Sequence, residues 1–403
     1  MARKLLEGIK VADFSWVFAG PLMTKTLGDC GAEVIRIEGR TRIDIERSRF
    51  PYKNHIPGIN RAIDFNQNNT GKLSIAINLA KPKGIELAKK LVAWADIVVE
   101  NFAGGAMNKM GLGYEELKKI NPDIIMLSTC MQGQWGPHAA HPGFGHQLTA
   151  LSGFHYIVGW PDREPQHFGA YTDFISVHFG LLAMMAALEY RARTGKGQYM
   201  DMSQFEAGVQ FQTPNILDYN INGRVAFREG NAHDYAAPHA AYHCRGKDRW
   251  CAIAVFTNEN WQSFCQVIGN PSWRNDSKFA TLPARKENEE ELNKLVEAST
   301  INYLAEELMI VMQTAGIAAG LLETAEDMLD YDPQLRYSHF NWELDHPEVG
   351  KYRVHRPPFL TSKAKYEMRR TPLLGEHNEC VCREVLGMSD EEIAKLVVDG
   401  VLE

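Results

Sequence analysis

No glycine-rich phosphate loop, zinc-ligand spacing or redox cysteine pair stands out in this chain of 403 residues. None of the loops that follow its apolar runs is a G-x-G-x-x-G turn or a P-loop, which disfavours a dinucleotide or nucleoside triphosphate cradled by main-chain N–H groups. The seven cysteines are scattered from Cys30 to Cys382, and Cys380-Val-Cys382 has neither metal-site nor thioredoxin-like spacing. They read as small buried hydrophobes in a reducing cytoplasm. Long basic runs are also missing, and a net charge of -7 argues against nucleic acid as a partner. The first residues, Met1-Ala-Arg-Lys-Leu-Leu-Glu-Gly8, lack the apolar core of a signal peptide, and no run approaches the ~20 apolar residues of a membrane span. The expectation is a soluble, cytoplasmic protein with no membrane contact.

What is present is an ordinary globular composition, 45% hydrophobic and 23% charged, on a chain too long for one core. Residues 9–14 (Ile-Lys-Val-Ala-Asp-Phe) form an apolar run. A helical pattern follows from about Leu22 to Leu27, Gly31-Ala32 breaks it, and Glu33 to Glu38 reads as a second strand. Strand, helix, strand is the pattern of a βαβ unit. Leu73 to Asn78, a helix opened by Pro82, Asp96 to Glu100 and Asp123 to Ser128 continue it, so the fold class expected is α/β with a doubly wound parallel sheet. Asp173 to Arg193 is apolar nearly all round and predicts a buried helix. Tyr199 to Met202 predicts a strand, and Ser203 with Glu206 a capping box for a helix through about Tyr219.

Beyond Asn222-Gly223 the pattern changes to a hairpin between Asp234 and Val255 that turns at Gly246 and Asp248, followed by helices from Asn260 to Ile268 and from Arg285 to Gln313. From Asp332 the chain reads as irregular and proline-bearing, up to a last helix from Asp390 to Val398. The expected organisation is a large α/β domain begun by 1–222, a smaller α+β domain over 223–330, and a return segment over 331–403 that completes the large domain.

An open α/β sheet binds its ligand outside the carboxyl ends of its strands. The loops there carry Trp16-Val-Phe-Ala-Gly-Pro21, Gly39-Arg-Thr-Arg42 with Arg47 and Arg49, and Asn101-Phe-Ala-Gly-Gly105 with Lys109. A cationic rim with aromatic and amide side chains suits an adenine and separate phosphates. His138, His141, His146, His155 and His167 cluster in sequence without metal-ligand spacing, so no metal is expected. Tyr171-Thr-Asp173-Phe174 opens the long apolar helix. A carboxylate there meets the positive end of the macrodipole and free N–H groups, so Asp173 is expected to stay ionised and is a candidate nucleophile. Taken alone, it reads first as an ordinary N-cap residue, because Asp is among the residues helix starts prefer.

Several spaced motifs occur in one order: Gly8-Ile-Lys-Val-Ala-Asp13, Ala19-Gly-Pro21, Gly31-Ala-Glu-Val-Ile-Arg-Ile-Glu38, Val99-Glu-Asn-Phe102, Lys109-Met-Gly111, Thr194-Gly-Lys-Gly-Gln198, Asp201, Asp332-Pro333, His346-Pro347 and Pro372-Leu-Leu-Gly-Glu-His377. In these the chain resembles the class III CoA-transferases over nearly its whole length. The resemblance implies that Asp173 is the nucleophile and forms anhydride and aspartyl-CoA thioester intermediates. A CoA thioester is then a substrate, with no permanently bound cofactor. It further implies that Val17, Phe18 and Ala19 lie beside the thioester, that Asn101 and Phe102 contact CoA, and that Arg40, Lys72 and Lys109 contact its phosphates or adenine. Members of the family are interlocked dimers, or pair two homologous chains.

Phe18 stands where formyl-transferring members carry a polar amide, which points to a larger acyl group. The expected acceptor is a medium-sized or aromatic dicarboxylate such as an arylsuccinate of the benzylsuccinate type, with succinyl-CoA as donor; Trp16, Tyr156 and Trp160 are the aromatic residues behind that choice. Gly143-Phe-Gly145 replaces a Gly-Tyr-Asp, which reduces that loop to packing. Two alternatives remain open at this point. One is an α-methylacyl-CoA racemase, which would need Gly-His-Asp in place of Gly143-Phe-Gly145; the histidine is absent there, although His146 stands close by. The other is a non-catalytic CoA-binding subunit in which Asp173 only caps its helix.

Overall fold

Runs such as Ile97-Val-Val-Glu100 are apolar on both faces, as strands are when helices cover a parallel sheet from both sides. The computed structural model describes residues 4–403 and has that layering. Along the chain come β1 (Lys10–Asp13), α1 (Ala19–Asp29), β2 (Glu33–Glu38), α2 (Ile63–Asn68), β3 (Lys72–Ala76), α3 (Pro82–Trp94) and β4 (Ile97–Glu100). They are followed by α4 (Ala106–Lys109), α5 (Tyr114–Ile120), β5 (Ile125–Cys130), α6 (Gly145–Leu151), α7 (Phe154–Ile157), α8 (Tyr171–Thr194) and β6 (Tyr199–Ser203). All strand pairs are parallel, in the order β3-β2-β1-β4-β5-β6.

Neighbouring residues of one strand serve opposite cores because side chains alternate across the pleat. Ile35, Ile75 and Val98 pack with Leu87 and Leu91 of α3, whereas Val34, Val99 and Leu127 pack with Met23 of α1 and Met184 of α8. Val381, Val401 and Leu402 enter the first of these cores. Leu402 also bridges Ile77, and the Glu403 N–H donates to Ala76 O at 3.0 Å, so the chain end covers the open edge of β3.

Two units separate by internal packing. One comprises the chain up to Phe154, Phe168–Arg224 and Tyr337–Glu403; the other comprises His155–His167 and Val225–Arg336. The first unit also holds α9 (Gln204–Gln210) and α10 (Thr213–Asn222). The second holds the antiparallel sheet of β7 (His239–His243), β8 (Trp250–Ala254) and β9 (Ala318–Leu321). Its core is formed by Trp261, Phe264, Leu292 and Leu308.

Several local expectations are corrected. The helix expected from Ser203 to Tyr219 is two, because Pro214 cannot donate a helical hydrogen bond and instead opens α10. Ser203 accepts the Glu206 N–H at 3.1 Å, which is one half of the expected capping box. After α11 (Asn258–Val267), the single helix expected from Arg285 to Gln313 is three: α12 (Leu282–Glu287), α13 (Glu289–Thr300) and α14 (Ala305–Thr314). Asn288 interrupts it with φ −108° and its side chain donating to Ala284 O at 2.9 Å. Within the return segment expected to be irregular, β10 (Asn341–His346) and β11 (Gly350–His355) form an antiparallel hairpin.

Helix α8 also departs from expectation: Leu182 is 67% exposed, although the apolar pattern called for burial all round. Its length and composition would suffice to cross a membrane, a feature missed in the sequence, yet it packs on α1 and β5 as a core helix.

Candidate active site

Between β1 and β4 the strand order reverses, and the loops leaving their carboxyl ends part to form a crevice. The first loop is pinned from three sides. Asn101 accepts the Trp16 N–H at 2.7 Å and donates to Trp16 O at 2.6 Å. Arg36 donates to Ser15 O at 3.0 Å, and the Asp44 carboxylate accepts the Val17 N–H at 2.9 Å. Val17 has φ 55°, a left-handed conformation that β-branched residues rarely adopt and that tends to collect at functional sites. Phe18 meets Phe174 edge-on with centroids 4.8 Å apart, and Trp16 meets Phe102 at 5.6 Å.

Asp173 is the third residue of α8, and Ala170 stands at the cap. It is therefore neither the N-cap nor a group bonded to helix N–H donors: among the described residues its carboxylate has no hydrogen bond. The carboxylate lies directly on Gly145, where a Cβ would fall 2.4 Å from the Asp173 Cγ. Gly145 is held there by the hydroxyls of Thr149 and Thr172, which donate to its carbonyl at 2.8 and 3.1 Å. Burial pushes the Asp173 carboxyl up to about 7, opposed by the charge of Arg49. The expectation that the macrodipole keeps it firmly ionised is corrected: desolvation by the surrounding loops prevails over the helix terminus. A carboxylate of that basicity, stripped of donors, is a better nucleophile than a solvated one.

Two cavities of about 430 and 340 Å³ meet at Asp173 and share Val17, Phe18, Ile45, Phe144 and Gly145. The smaller one runs along the crevice past Trp16, Ala19, Asn101, Phe102 and Arg42. The larger one is lined by Arg49, Asp64, His146, Gln147 and Phe174. Arg49 is its one Arg or Lys, and no hydrogen bond or ion pair holds its guanidinium among the described residues. Of the residues expected from the sequence, Asp173, Val17, Phe18, Ala19, Asn101 and Phe102 are thus brought together.

Lys72, Arg40 and Lys109 are not. Lys72 is 3% exposed, and its ammonium donates to Asp13 Oδ2 at 3.0 Å, Pro21 O at 3.0 Å and Asn69 Oδ1 at 2.8 Å. An ammonium has three N–H groups, so none remains for a phosphate. Arg40 is fixed through its main-chain N–H by the Glu403 carboxylate at 2.5 Å, and Lys109 ends α4; neither lines a cavity around Asp173. Tyr156 and Trp160 line neither cavity. In the other direction, Gly143-Phe-Gly145 forms wall and floor, a role beyond the packing assigned to it from its sequence. Ile45, Asp64 and Gln147 were missed as site residues: Ile45 and Asp64 stand more than a hundred residues before α8, and nothing in the spacing of Gln147 ties it to the chamber, whereas Arg42 was expected in the cationic rim and His146 was read only as part of the histidine cluster. Among the described residues, no group of three or more His, Cys, Asp or Glu could hold a metal ion.

Residues 6–378 match the model of CoA-transferase family III. The chain belongs to this family. It is 34% identical over 403 residues to succinyl-CoA:glutarate CoA-transferase of Mus musculus, covering 99% of this chain and 91% of that protein. It is 32% identical to succinyl-CoA--D-citramalate CoA-transferase of Chloroflexus aurantiacus, covering 98% of each. The crystal structure of a CAIB/BAIF family protein from Brucella suis superposes with a TM-score of 0.86 at 32% identity, covering 95% of this chain and 100% of that one. His146 and Asp173 line one chamber, the pairing that α-proton abstraction would use. The full-length match to transferases decides for CoA transfer, and the chain is a class III CoA-transferase.

Proposed function

We propose that this CoA-transferase moves CoA from succinyl-CoA to a second dicarboxylic acid, with Asp173 as nucleophile. The observation that carries the proposal is the unbonded, desolvated Asp173 carboxylate at the junction of two chambers. In this reading the crevice chamber takes the pantetheine thioester and the larger chamber takes the acid.

Asp173 Oδ attacks the thioester carbonyl and CoA thiolate leaves, giving a mixed anhydride. The thiolate then attacks the Asp173 carbonyl, which releases succinate and leaves an aspartyl-CoA thioester. The acceptor carboxylate displaces the thiolate to form a second anhydride. Attack of the thiolate on the acceptor's carbonyl yields the new acyl-CoA and restores Asp173. Acyl groups move without redox change, and each proton-free step exchanges one carboxylate or thiolate for another.

The unpaired Arg49 guanidinium supports a dicarboxylate, since it offers a bidentate donor to the carboxylate that does not react. Glutarate and D-citramalate, named for the two relatives, are of this class. The rings of Phe18, Phe144 and Phe174 also suit an arylsuccinate, which belongs in the acceptor panel. We extend the proposal to the assembly: Tyr219 and Ile221 on α10 are 61% and 74% exposed, and with Leu182 they suit coverage by a second, homologous chain. Native mass measurement gives a dimer if this is right and a monomer if it is not.

The site assignment is tested by incubating the protein with succinyl-CoA, trapping with hydroxylamine and mapping the adduct by mass spectrometry. Modification at Asp173 is expected, and Asp173→Ala removes turnover. An adduct elsewhere, or an active Asp173→Ala protein, overturns the assignment. Arg49→Gln is expected to raise KM for glutarate by about tenfold while sparing a monocarboxylate acceptor; equal effects on both acids refute the role of Arg49.

A further inference from the structure

The wall that faces Asp173 from the β1 side includes a residue in a conformation its own side chain disfavours, and one buried carboxylate holds it there. Val17 lines both chambers with φ 55°. Asp44, fully buried, accepts the Val17 N–H on Oδ2 at 2.9 Å. The same oxygen accepts from the Arg36 guanidinium at 2.6 Å, while Oδ1 accepts the Glu46 N–H at 3.0 Å. That last bond caps the turn Ile45–Ser48, which carries Ile45 into both chambers and leads to Arg49. One carboxylate therefore ties two walls of the site together, although it lines neither cavity itself.

The charges around Asp44 favour this task. Arg36 is fully buried and is shared with Glu38 at 3.4 Å and Asp13 at 3.9 Å, so it is fixed in place as a counter-ion. Glu46 is also buried. Its desolvation, and next the charge of Asp44, push it up to about 8, so at neutral pH it stays protonated and does not compete with Asp44 for Arg36. Asn68 donates to Glu46 Oε1 at 2.7 Å.

We infer that Asp44 is a positioning residue for CoA transfer: by clamping the Val17 N–H, it sets the wall against which the thioester is presented to Asp173. The inference rests on the transfer reading above for its kinetic consequence, and on the clamp alone for its structural one. Release of the clamp lets Val17 relax to a negative φ, which swings its isopropyl group and the adjoining Phe18. Glycine adopts φ 55° without help, so a chain with Val17→Gly has no need of the clamp.

The test is a double-mutant cycle in the full-length protein, reading kcat and KM with succinyl-CoA and glutarate. Asp44→Ala is expected to lower kcat/KM by about tenfold or more in the wild-type background and by about twofold or less in the Val17→Gly background. Equal losses in both backgrounds overturn the inference, because a merely structural role of Asp44 does not depend on residue 17. Asp44→Asn keeps an oxygen acceptor and serves the same cycle if Asp44→Ala fails to fold; the loss is then smaller, but again confined to the Val17 background. Hydrogen exchange of residues 15–18 gives a readout without turnover: faster exchange at Val17 in the Asp44 variant is expected, and unchanged exchange sinks the clamp. Failure of the Asp173 reading appears separately, in the adduct map, and leaves the exchange result standing.

Discussion

Asp173→Asn is expected to make the protein more stable above neutral pH while destroying its activity. The folded carboxyl keeps its proton to about 7, whereas the unfolded one releases it near 3.8. Between these values the unfolded state binds fewer protons, so wild-type stability falls as pH rises through this window, and the loss is complete above the folded value. At about 1.4 kcal/mol for each tenfold change in proton affinity, the full cost is about 4 kcal/mol. Relaxation of the site and water entry reduce it, so about 2 kcal/mol or more is the working expectation. An asparagine is never charged and avoids this cost while keeping nearly the same shape.

Scanning calorimetry of both proteins at about pH 5 and about pH 8 reads the difference. The midpoint of Asp173→Asn should exceed that of wild type by several degrees at the higher pH, and the gap should shrink at the lower. A gap independent of pH, or a wild type more stable at the higher pH, would falsify the claim that burial dominates at Asp173. Turnover of the same variant should fall by at least about 10³-fold.

Three further outcomes follow from the same geometry. The logarithm of kcat/KM should climb with pH to a plateau above about 7, because the free enzyme attacks with its ionised carboxylate; a flat profile from about pH 5 to 8 contradicts this. Gly145→Ala places a methyl group 2.4 Å from the Asp173 Cγ and should lower kcat by about 10²-fold with little change in melting temperature, whereas a fully active variant would show that the two residues separate freely. Lys72→Met leaves Asp13 buried beside a missing partner and should cost about 3–5 kcal/mol of stability; a stable protein with only a raised KM for succinyl-CoA would instead restore Lys72 as a phosphate contact.

The parallel sheet was legible in the sequence because both of its faces are covered, which leaves unbroken apolar runs such as Ile97-Val-Val. The hairpin Asn341–His346 with Gly350–His355 was not, because much of it is only partly buried and the alternation that marks a strand is diluted by residues such as His346 and His355. The break at Asn288 was hidden for another reason: its cause is a local side-chain bond to Ala284 O, inside a stretch of otherwise helix-favouring residues.

At the site the division is sharper. Local order along the chain determined that loops at strand ends carry Val17, Phe18, Asn101 and Phe102, and that Asp173 opens a long apolar helix. Those are properties of neighbouring residues, and sequence spacing records them. Only the tertiary structure decided that Asp173 sits on Gly145 without a donor, that Arg49 faces it unpaired, and that Lys72 is bound to Asp13 rather than open to a phosphate. Solvation is set by whatever the folded chain brings within a few ångströms. Desolvation and ion pairing therefore depend on residues far apart in sequence, and they reversed the electrostatic reading that the helix start by itself supported.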